Sequence, residues 1–391
     1  MTSFAHPFAR TDRSPLAQWW WTVDRGVLAA VGVLIFLGVA LSFASSPAAV
    51  GAGEGAHDPF HYAWRMCVFA GAGATVMLTT SLMSPRGVRR IAVAGMLGGL
   101  LIMALLPFIG NEVKGASRWL DIGPFGLQPS EFVKPSLIVV AAWMFSEAQK
   151  GQGVPGVSIA FALYALTAAL LVIQPDIGQT LLITTTFMAV FFMAGVPFRW
   201  MAVLGALVVT GMVSMYFLFD HVRARVAKFV SPEQADTFQI DRASEAIAAG
   251  GLAGRGVGEG VMKRNVPDLH TDFIYSVAAE EFGLILSLLL IGLYAFVVLR
   301  GLSRAMRLND PFEQTAAAGL FILVGLQAVI NVAVNLNLIP TKGMTLPFIS
   351  YGGSSMLDIG LTMGFALALT RRRPGAYDPG PGGLPRLRLR R

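Results

Sequence analysis

The run GVLAAVGVLIFLGVALSFA, residues 26–44, carries no charged side chain and is long enough to cross the hydrocarbon core of a bilayer as a helix. Nine further apolar runs of comparable length follow it along the chain. They are residues 62–82, 91–109, 132–147, 157–174, 177–195, 200–220, 271–299, 313–335 and 350–370. This recurrence predicts an all-α polytopic membrane protein with ten transmembrane helices.

The composition excludes the ordinary soluble classes. Hydrophobic residues make up 54% of the 391 residues and charged residues only 14%, whereas soluble domains carry about 25% charged residues. The single cysteine, Cys67, excludes an intramolecular disulfide and a cysteine zinc cluster. The net charge of +7 is spread over many short segments, so it indicates membrane topology rather than nucleic-acid binding.

Ten spans place both termini on one side of the membrane, and the basic residues decide which side that is. The segments on that side hold 18 of the 30 lysines and arginines, which predicts cytoplasmic termini. No small-residue cleavage pattern follows the first run, so we expect that helix to be retained. Trp19, Trp20 and Trp21 are typical of an interfacial anchor.

The predicted organisation has three parts. Residues 1–25 form a cytoplasmic N-terminal segment, residues 26–370 form the ten-helix membrane domain, and residues 371–391 form a basic, disordered cytoplasmic tail. Residues 221–270 form a large extracytoplasmic loop between spans seven and eight. With residues 110–131 and 336–350, this loop makes the extracytoplasmic face the expected location of a site outside the membrane core.

Several local patterns leave alternatives open. The glycine-rich residues 250–260 lack the strand and the GK[ST] of a phosphate-binding loop, so a flexible loop over a lipid headgroup fits better. His270 between Asp268 and Asp272 suggests a metal site, but a single histidine argues against a transition-metal centre. Taken alone, Asp272 is better explained as the N-cap or first-turn acid of the following helix than as a functional residue.

Two segments at the predicted membrane surface are also informative. Residues 110–135 combine cations with Trp119 and Phe125, which indicates either phosphate contacts at the interface or simple anchoring. Asp176 is a candidate cap of the helix that follows it. Residues 335–355 are rich in turn-forming residues and suggest a re-entrant or partly broken helix beside a polar cavity.

Five motifs, in order along the chain, resemble the SEDS family of shape, elongation, division and sporulation proteins. They are GASRW at 115–119, QPSEFVK at 128–134, QPDIGQ at 174–179, DLHTDFIYSVAAEEFG at 268–283 and PTKGMTLPFISYGGSS at 340–355. The first and last of these are more similar to the division members than to the elongation members. The resemblance covers approximately residues 25–373.

The resemblance implies a ten-helix peptidoglycan glycosyltransferase that polymerises lipid II at the outer face of the cytoplasmic membrane, at the division septum. It also implies that Asp272 is the essential acid. Candidate substrate-binding residues are Lys114, Arg118, Glu131, Lys134, Arg242, Lys263, Asp268, His270, Lys342 and Ser354. Asp358 departs from the family pattern, because an apolar residue is expected there.

The chemistry of that reaction needs one base. Lipid II carries its sugar through an α-linked pyrophosphate and the polymer bond is β, so a single displacement inverts the anomeric carbon. Asp272 is predicted to accept the proton of the attacking 4-hydroxyl, and cations or a divalent ion, magnesium or manganese, to stabilise the leaving pyrophosphate. No other cofactor and no protein-bound metal centre is predicted.

Two other functions remain open from the residues. A lipid II flippase would need acidic residues through both leaflets, and a non-catalytic division scaffold would not need Asp272. The resemblance also implies partners: a class B penicillin-binding protein that acts as the division transpeptidase, and activators of the FtsQ, FtsL and FtsB type.

Overall fold

The computed structural model of the protein describes residues 14–52, 58–113, 116–122, 125–151, 153–195, 198–218, 223, 238–260, 270–340 and 343–372. The helices are α1 (Pro15–Thr22), α2 (Arg25–Ala52), α3 (His61–Ser81), α4 (Pro85–Ile109), α5 (Pro129–Gln149), α6 (Gly156–Ile173), α7 (Ile177–Met193), α8 (Phe198–Leu218), α9 (Phe238–Gly250), α10 (Ile274–Ala305), α11 (Pro311–Asn335) and α12 (Gly353–Leu369). Three short strands lie between α4 and α5: β1 (Asn111–Val113), β2 (Ala116–Ile122) and β3 (Phe125–Leu127).

The long helices α2–α8 and α10–α12 each overlap one of the ten predicted apolar runs. Among the described residues, five helices are both long and apolar enough to cross a membrane: α2, α4, α6, α10 and α11. The helices α7 and α12 are shorter but also apolar. The structure therefore confirms a helical membrane-protein fold, while the number of ten spans stays a prediction. Residues 1–13 and 373–391, most of the predicted terminal segments, lie outside the described residues.

The three tryptophans before the first run do not share one environment. Trp19 is 9% exposed, and its indole Nε1 donates a hydrogen bond to Ser81 Oγ at 2.8 Å. Trp21 is 41% exposed, and the guanidinium of Arg25 lies over its ring at 4.4 Å. Short helix α1 thus packs onto the end of α3 through one tryptophan and leaves another exposed, while the interfacial anchor stays a prediction.

Helices α3 and α12 cross closely through glycines. A Cβ on Gly360 would meet the main-chain oxygen of Gly73, and one on Gly364 would meet Thr80 Oγ1. Small residues allow helix backbones to approach closely in membranes, where van der Waals packing replaces the hydrophobic effect as the driving force. The crossing fixes α12, and with it the preceding loop, against α3.

The end of α12 is tied to the beginning of the chain. Arg371 donates to Thr22 Oγ1 at 3.1 Å and to the main-chain oxygen of Leu82 at 3.1 Å, and Arg372 N donates to Thr22 O at 3.2 Å. Nearby, buried Asp24 pairs with Arg300 and Arg304 of α10. Both ends of the membrane domain therefore meet at one end of the bundle.

An antiparallel sheet of order β1-β2-β3 lies at the opposite end, in the segment where phosphate contacts or simple anchoring at the interface were predicted. Strand β2 pairs with β3 from Leu120↔Leu127 to Ile122↔Phe125. The sheet was not predicted, because strands of three residues are too short to show an alternating pattern. Its function in the fold is to hold Arg118, on β2, above the start of α7.

Helix α10 is interrupted at Gly283, whose φ of 73° and ψ of −166° are not helical. The glycine-rich segment 250–260 packs onto this interruption: Arg255 N donates to Glu280 O at 3.0 Å, Gly256 N to Glu281 O at 3.0 Å and Leu284 N to Gly251 O at 3.0 Å. The segment predicted to be a flexible loop is instead bound to a broken helix by main-chain hydrogen bonds.

An open apolar groove of about 510 Å³ lies between helices α10 and α11. Its walls include Ile291, Leu299, Leu326 and Val329. Exposed apolar side chains on both helices continue this surface outward, as expected of helices that face lipid.

Candidate functional site

The candidate catalytic acid Asp272 lies in the turn that precedes α10. Its main-chain oxygen accepts hydrogen bonds from Asn331 Nδ2 at 3.0 Å and from Asn335 Nδ2 at 2.9 Å. A Cβ on Gly343 would lie 3.8 Å from Asp272 Oδ2, so the carboxylate faces the loop between α11 and α12. The main chain at Asp272 is thus fixed while its carboxylate faces that loop.

The capping function considered for Asp272 is performed by another residue. Helix α10 has Phe273 at its N-cap position, without a side-chain cap. Instead, Asn335 Oδ1 accepts from Ser276 N at 3.2 Å and from Ser276 Oγ at 2.8 Å. This supplies a partner for one of the main-chain N–H groups that the first helical turn leaves unpaired. Asp272 is therefore not needed as the cap.

Replacing Asn335 with alanine tests this arrangement. We expect the free energy of unfolding to fall by about 1–3 kcal/mol, because Ser276 N, Ser276 Oγ and the main-chain oxygen of Asp272 each lose a hydrogen bond. Thermal unfolding in detergent measures the change. Thr185→Ala, at an exposed site where the hydroxyl bonds only to its own helix, is the matched control and should stay within about 0.5 kcal/mol of the wild type. Equal unfolding of the two variants would contradict the proposed cap.

The loop 343–352 holds the other side of the HTD turn, residues 270–272. Tyr351 N donates to His270 O at 2.9 Å, and Ser350 Oγ donates to Thr271 O. The ring of His270 stacks on Tyr62 of α3 with centroids 4.4 Å apart, and Tyr351 lies across both rings. His270, predicted to bind substrate, is therefore an anchored, half-buried aromatic group beside Asp272.

The prediction of a re-entrant or partly broken helix at 335–355 is wrong for the residues that the structure describes there. Helix α11 ends at Asn335 and α12 begins at Gly353, with turns between them. The described part of this loop is held by side chains instead: Asn331 Nδ2 donates to Met344 O at 2.6 Å, and Gln327 Nε2 to Thr345 O at 3.1 Å. Polar residues of α11 replace the missing helical hydrogen bonds.

A second polar group surrounds the beginning of α7. Asp176 caps that helix, as predicted, by accepting from Gln179 N at 3.2 Å. Arg118 donates to the main-chain oxygens of Gln174 and Pro175, and its guanidinium lies 3.9 Å from Asp176 Oδ2. Burial raises the pKa of Asp176, and the charge of Arg118 opposes that rise. Arg118 thus holds a turn in place and, in this conformation, is partly exposed.

The same group connects to α12. Gln128 Nε2 donates to Asp176 Oδ2 at 3.2 Å, and Gln128 N donates to Ser354 Oγ at 3.3 Å. Ser354, a predicted substrate-binding residue, is buried and acts here as a link between α5 and α12.

The predicted pair Glu131 and Lys134 lies one turn deeper. Lys134 is fully buried, and its Nζ lies 3.3 Å from Glu131 Oε1 and 3.2 Å from Asp358 Oδ2. Asp358, the departure from the family pattern, therefore faces the polar interior and has a charged partner. Asp358 stands out in the sequence as a charge within an apolar run, but its partner on α5 is set by helix packing and cannot be assigned from local sequence.

The remaining predicted residues divide into two groups. Arg242 lies on α9, where its guanidinium pairs with Glu245 at 2.6 Å. Lys114, Lys263, Asp268 and Lys342 lie outside the described residues. Across the described ranges there is no group of three or more His, Cys, Asp or Glu side chains that could hold a metal ion. The divalent ion therefore stays a prediction.

The chain is similar to known proteins over most of its length. The family model of the FtsW, RodA and SpoVE proteins, described as cell cycle protein, matches residues 25–374. A protein of Caulobacter vibrioides named probable peptidoglycan glycosyltransferase FtsW is 67% identical over 372 residues, which cover 95% of each chain. A protein of the same name from Geobacter metallireducens is 37% identical, covering 89% of this chain and 94% of its own.

Two solved structures share the fold. One is a chain from a peptidoglycan synthase complex that coordinates polymerization and crosslinking; it has a TM-score of 0.72 and 27% identity, covering 90% of this chain and 98% of its own. The rod shape determining protein RodA of Thermus thermophilus has a TM-score of 0.65 and 26% identity, covering 90% and 97%. The chain therefore belongs to the FtsW, RodA and SpoVE family of cell cycle proteins, and it is similar to the members named FtsW.

Proposed function

We propose that this protein is a peptidoglycan glycosyltransferase that polymerises lipid II into glycan strands during septal wall synthesis, with Asp272 as the general base. The observation that carries the proposal is the fixation of the HTD turn: side chains of α11 and the loop 343–352 hold its main chain on both sides, and the Asp272 carboxylate stays directed towards that loop. The family membership and the names of its relatives support the reaction class.

The proposed reaction is one inverting displacement. The 4-hydroxyl oxygen of the acceptor attacks C1 of the donor sugar, the bond from C1 to the pyrophosphate oxygen breaks, and that oxygen leaves with the electron pair. Asp272 takes the hydroxyl proton as the new bond forms. A fixed main chain suits this role, because catalytic groups act best when they need no reorganisation during the reaction.

Stabilisation of the leaving undecaprenyl pyrophosphate needs positive charge. Lys134 is fully buried between two carboxylates, so in this conformation it acts on the site through the packing of its helices. Arg118 is partly exposed beside Asp176 and has donors that could turn to a phosphate. Lys114, Lys263 and Lys342, or a magnesium or manganese ion bound mainly by the substrate phosphates, complete the proposed set.

The proposed setting is the cytoplasmic membrane at the septum, with both termini in the cytoplasm. The proposed partner is a class B penicillin-binding protein, with activators of the FtsQ, FtsL and FtsB type. Similarity to a chain of a synthase complex that coordinates polymerization and crosslinking supports a crosslinking partner. The apolar groove between α10 and α11 has the chemistry to receive a hydrophobic helix or an acyl chain.

Polymerisation of lipid II by the purified protein with its cognate transpeptidase tests the function. We expect glycan strands that appear only when this protein is present and whose formation continues when the transpeptidase is blocked at its crosslinking step. A parallel measurement in vesicles follows movement of labelled lipid II between leaflets. Movement of lipid II between leaflets without polymer formation would indicate a flippase instead of an enzyme. The absence of both activities would favour a scaffold.

A further inference from the structure

The membrane interior of this protein holds one cation and two acids in direct contact. Lys134 of α5 is 0% exposed, Glu131 on the same helix is 4% exposed, and Asp358 of α12 is 1% exposed. The lysine Nζ lies 3.3 Å from Glu131 Oε1 and 3.2 Å from Asp358 Oδ2. Thr362 Oγ1 donates to Asp358 Oδ1 at 3.3 Å, and Gln179 Nε2 donates to Glu131 Oε1 at 3.2 Å. We name these five residues the α5–α12 clamp.

The clamp has more acids than its cation requires. One carboxylate is enough to compensate a buried lysine, and burial of a second charge is costly unless it is paired. The other Glu131 oxygen, Oε2, is buried and has no hydrogen-bond partner, whereas both Asp358 oxygens have one. Asp358 is therefore the better-satisfied counter-ion of Lys134, although Glu131 is the one nearer in sequence.

The position of Asp358 connects the clamp to the HTD turn. Ser354 lies one turn before Asp358 on α12 and accepts from Gln128 N at the beginning of α5. Directly before α12, Tyr351 and Ser350 bond to the main chain of His270 and Thr271. A shift of α12 along α5 would therefore move the loop that holds the turn carrying Asp272.

From these contacts we infer that Asp358 is a positioning residue: it is the second counter-ion of Lys134, it locks α12 to α5, and it makes Glu131 replaceable in this chain. The inference about activity rests on the proposed function. The inference about charge pairing does not, because thermal stability reports it independently.

A double-substitution cycle tests the pairing. Glu131→Gln and Asp358→Asn each leave Lys134 with one carboxylate, so we expect each to lower polymerisation by less than about tenfold. The double variant leaves an unpaired buried ammonium. We therefore expect it to lower polymerisation by at least about 100-fold and to lower the thermal midpoint by more than the sum of the two single variants. A double variant whose effects are simply the sum of the singles overturns the proposal.

Two further variants separate charge pairing from general damage. In the Glu131→Gln background, Asp358→Glu should keep activity where Asp358→Asn loses it. Adding Lys134→Met to the double variant should restore the thermal midpoint, because no buried charge remains. Glu147→Gln, at the other end of α5 where the partner Lys150 is exposed, is the matched control and should show no coupling to Asp358. If Asp358→Glu fails or the midpoint stays low, Asp358 is not the counter-ion.

The two levels of the inference fail differently. If the wild-type protein forms no polymer under any condition, the proposed function is wrong, and the thermal midpoints alone still test the pairing of Asp358 with Lys134. A wild-type protein that polymerises, combined with an additive thermal cycle, removes the role of Asp358 and leaves the proposed function intact.

Discussion

Replacement of Asp272 by asparagine is expected to lower the rate of lipid II polymerisation by about 10²–10⁴-fold, the usual contribution of a general base. The asparagine side chain has nearly the same size, and the hydrogen bonds that hold this turn use the main-chain oxygen of Asp272, which the substitution keeps. The protein should therefore fold normally and bind lipid II. Polymer length and amount on a gel, at equal folded yield, measure the effect.

The control for this prediction is Asp310→Asn, the same substitution at an exposed carboxylate that caps the far end of α11. It should polymerise at a rate within about twofold of the wild type, because asparagine caps a helix about as well as aspartate. Polymer formation by Asp272→Asn at the wild-type rate would remove the base assignment and bring the scaffold and flippase functions forward.

Replacement of Gly283 by alanine is expected to abolish the accumulation of folded protein. The φ of 73° with ψ of −166° lies in a region that is essentially restricted to glycine, and a strained residue alone costs about 1–3 kcal/mol. A Cβ at this position would also meet the main-chain atoms Gly254 N and Leu252 O. Main-chain atoms cannot rotate away as a side chain can, so the glycine-rich segment would have to separate from α10.

The same helix offers a matched control. Gly292 is helical and a Cβ there meets nothing within 4 Å, so Gly292→Ala should be neutral or should raise the free energy of unfolding by about 0.5–1 kcal/mol. Size-exclusion profiles and thermal midpoints of both variants in detergent provide the measurement. If Gly283→Ala unfolds at the wild-type temperature, the interruption of α10 is not required by the fold.

The helices could be predicted from the sequence because apolar runs of sufficient length report directly on burial in lipid. The sheet of β1, β2 and β3 could not, since its strands are stabilised by main-chain pairing and by Arg118, which reaches the turn before α7. Asp176 was recognisable as a cap from local sequence alone. The helical character expected for residues 335–355 failed, because side chains of α11 satisfy the loop from outside it.

In the candidate site, too, local motifs could be recognised from the sequence, whereas contacts between distant residues could not. Asp272 and its neighbours were indicated by the motif resemblance, whereas Asn331 and Asn335 were missed. The available signal was two asparagines four residues apart in an otherwise apolar helix, a spacing that places both on one face. Lys134 and Asp358 could each be noticed as charges in apolar runs, but their pairing joins residues far apart in the chain and needs the packing of α5 on α12.

The bonds from Arg371 and Arg372 to Thr22 and to the end of α3 give the chain an almost circular path, since its first and last long helices are fastened at one place. A truncated chain that ends at residue 372 keeps these bonds, whereas a truncated chain that ends at residue 369 loses them. Reporter proteins joined beyond residue 372 should therefore be tolerated, and permuted chains with new ends in a loop at the opposite end become a realistic design.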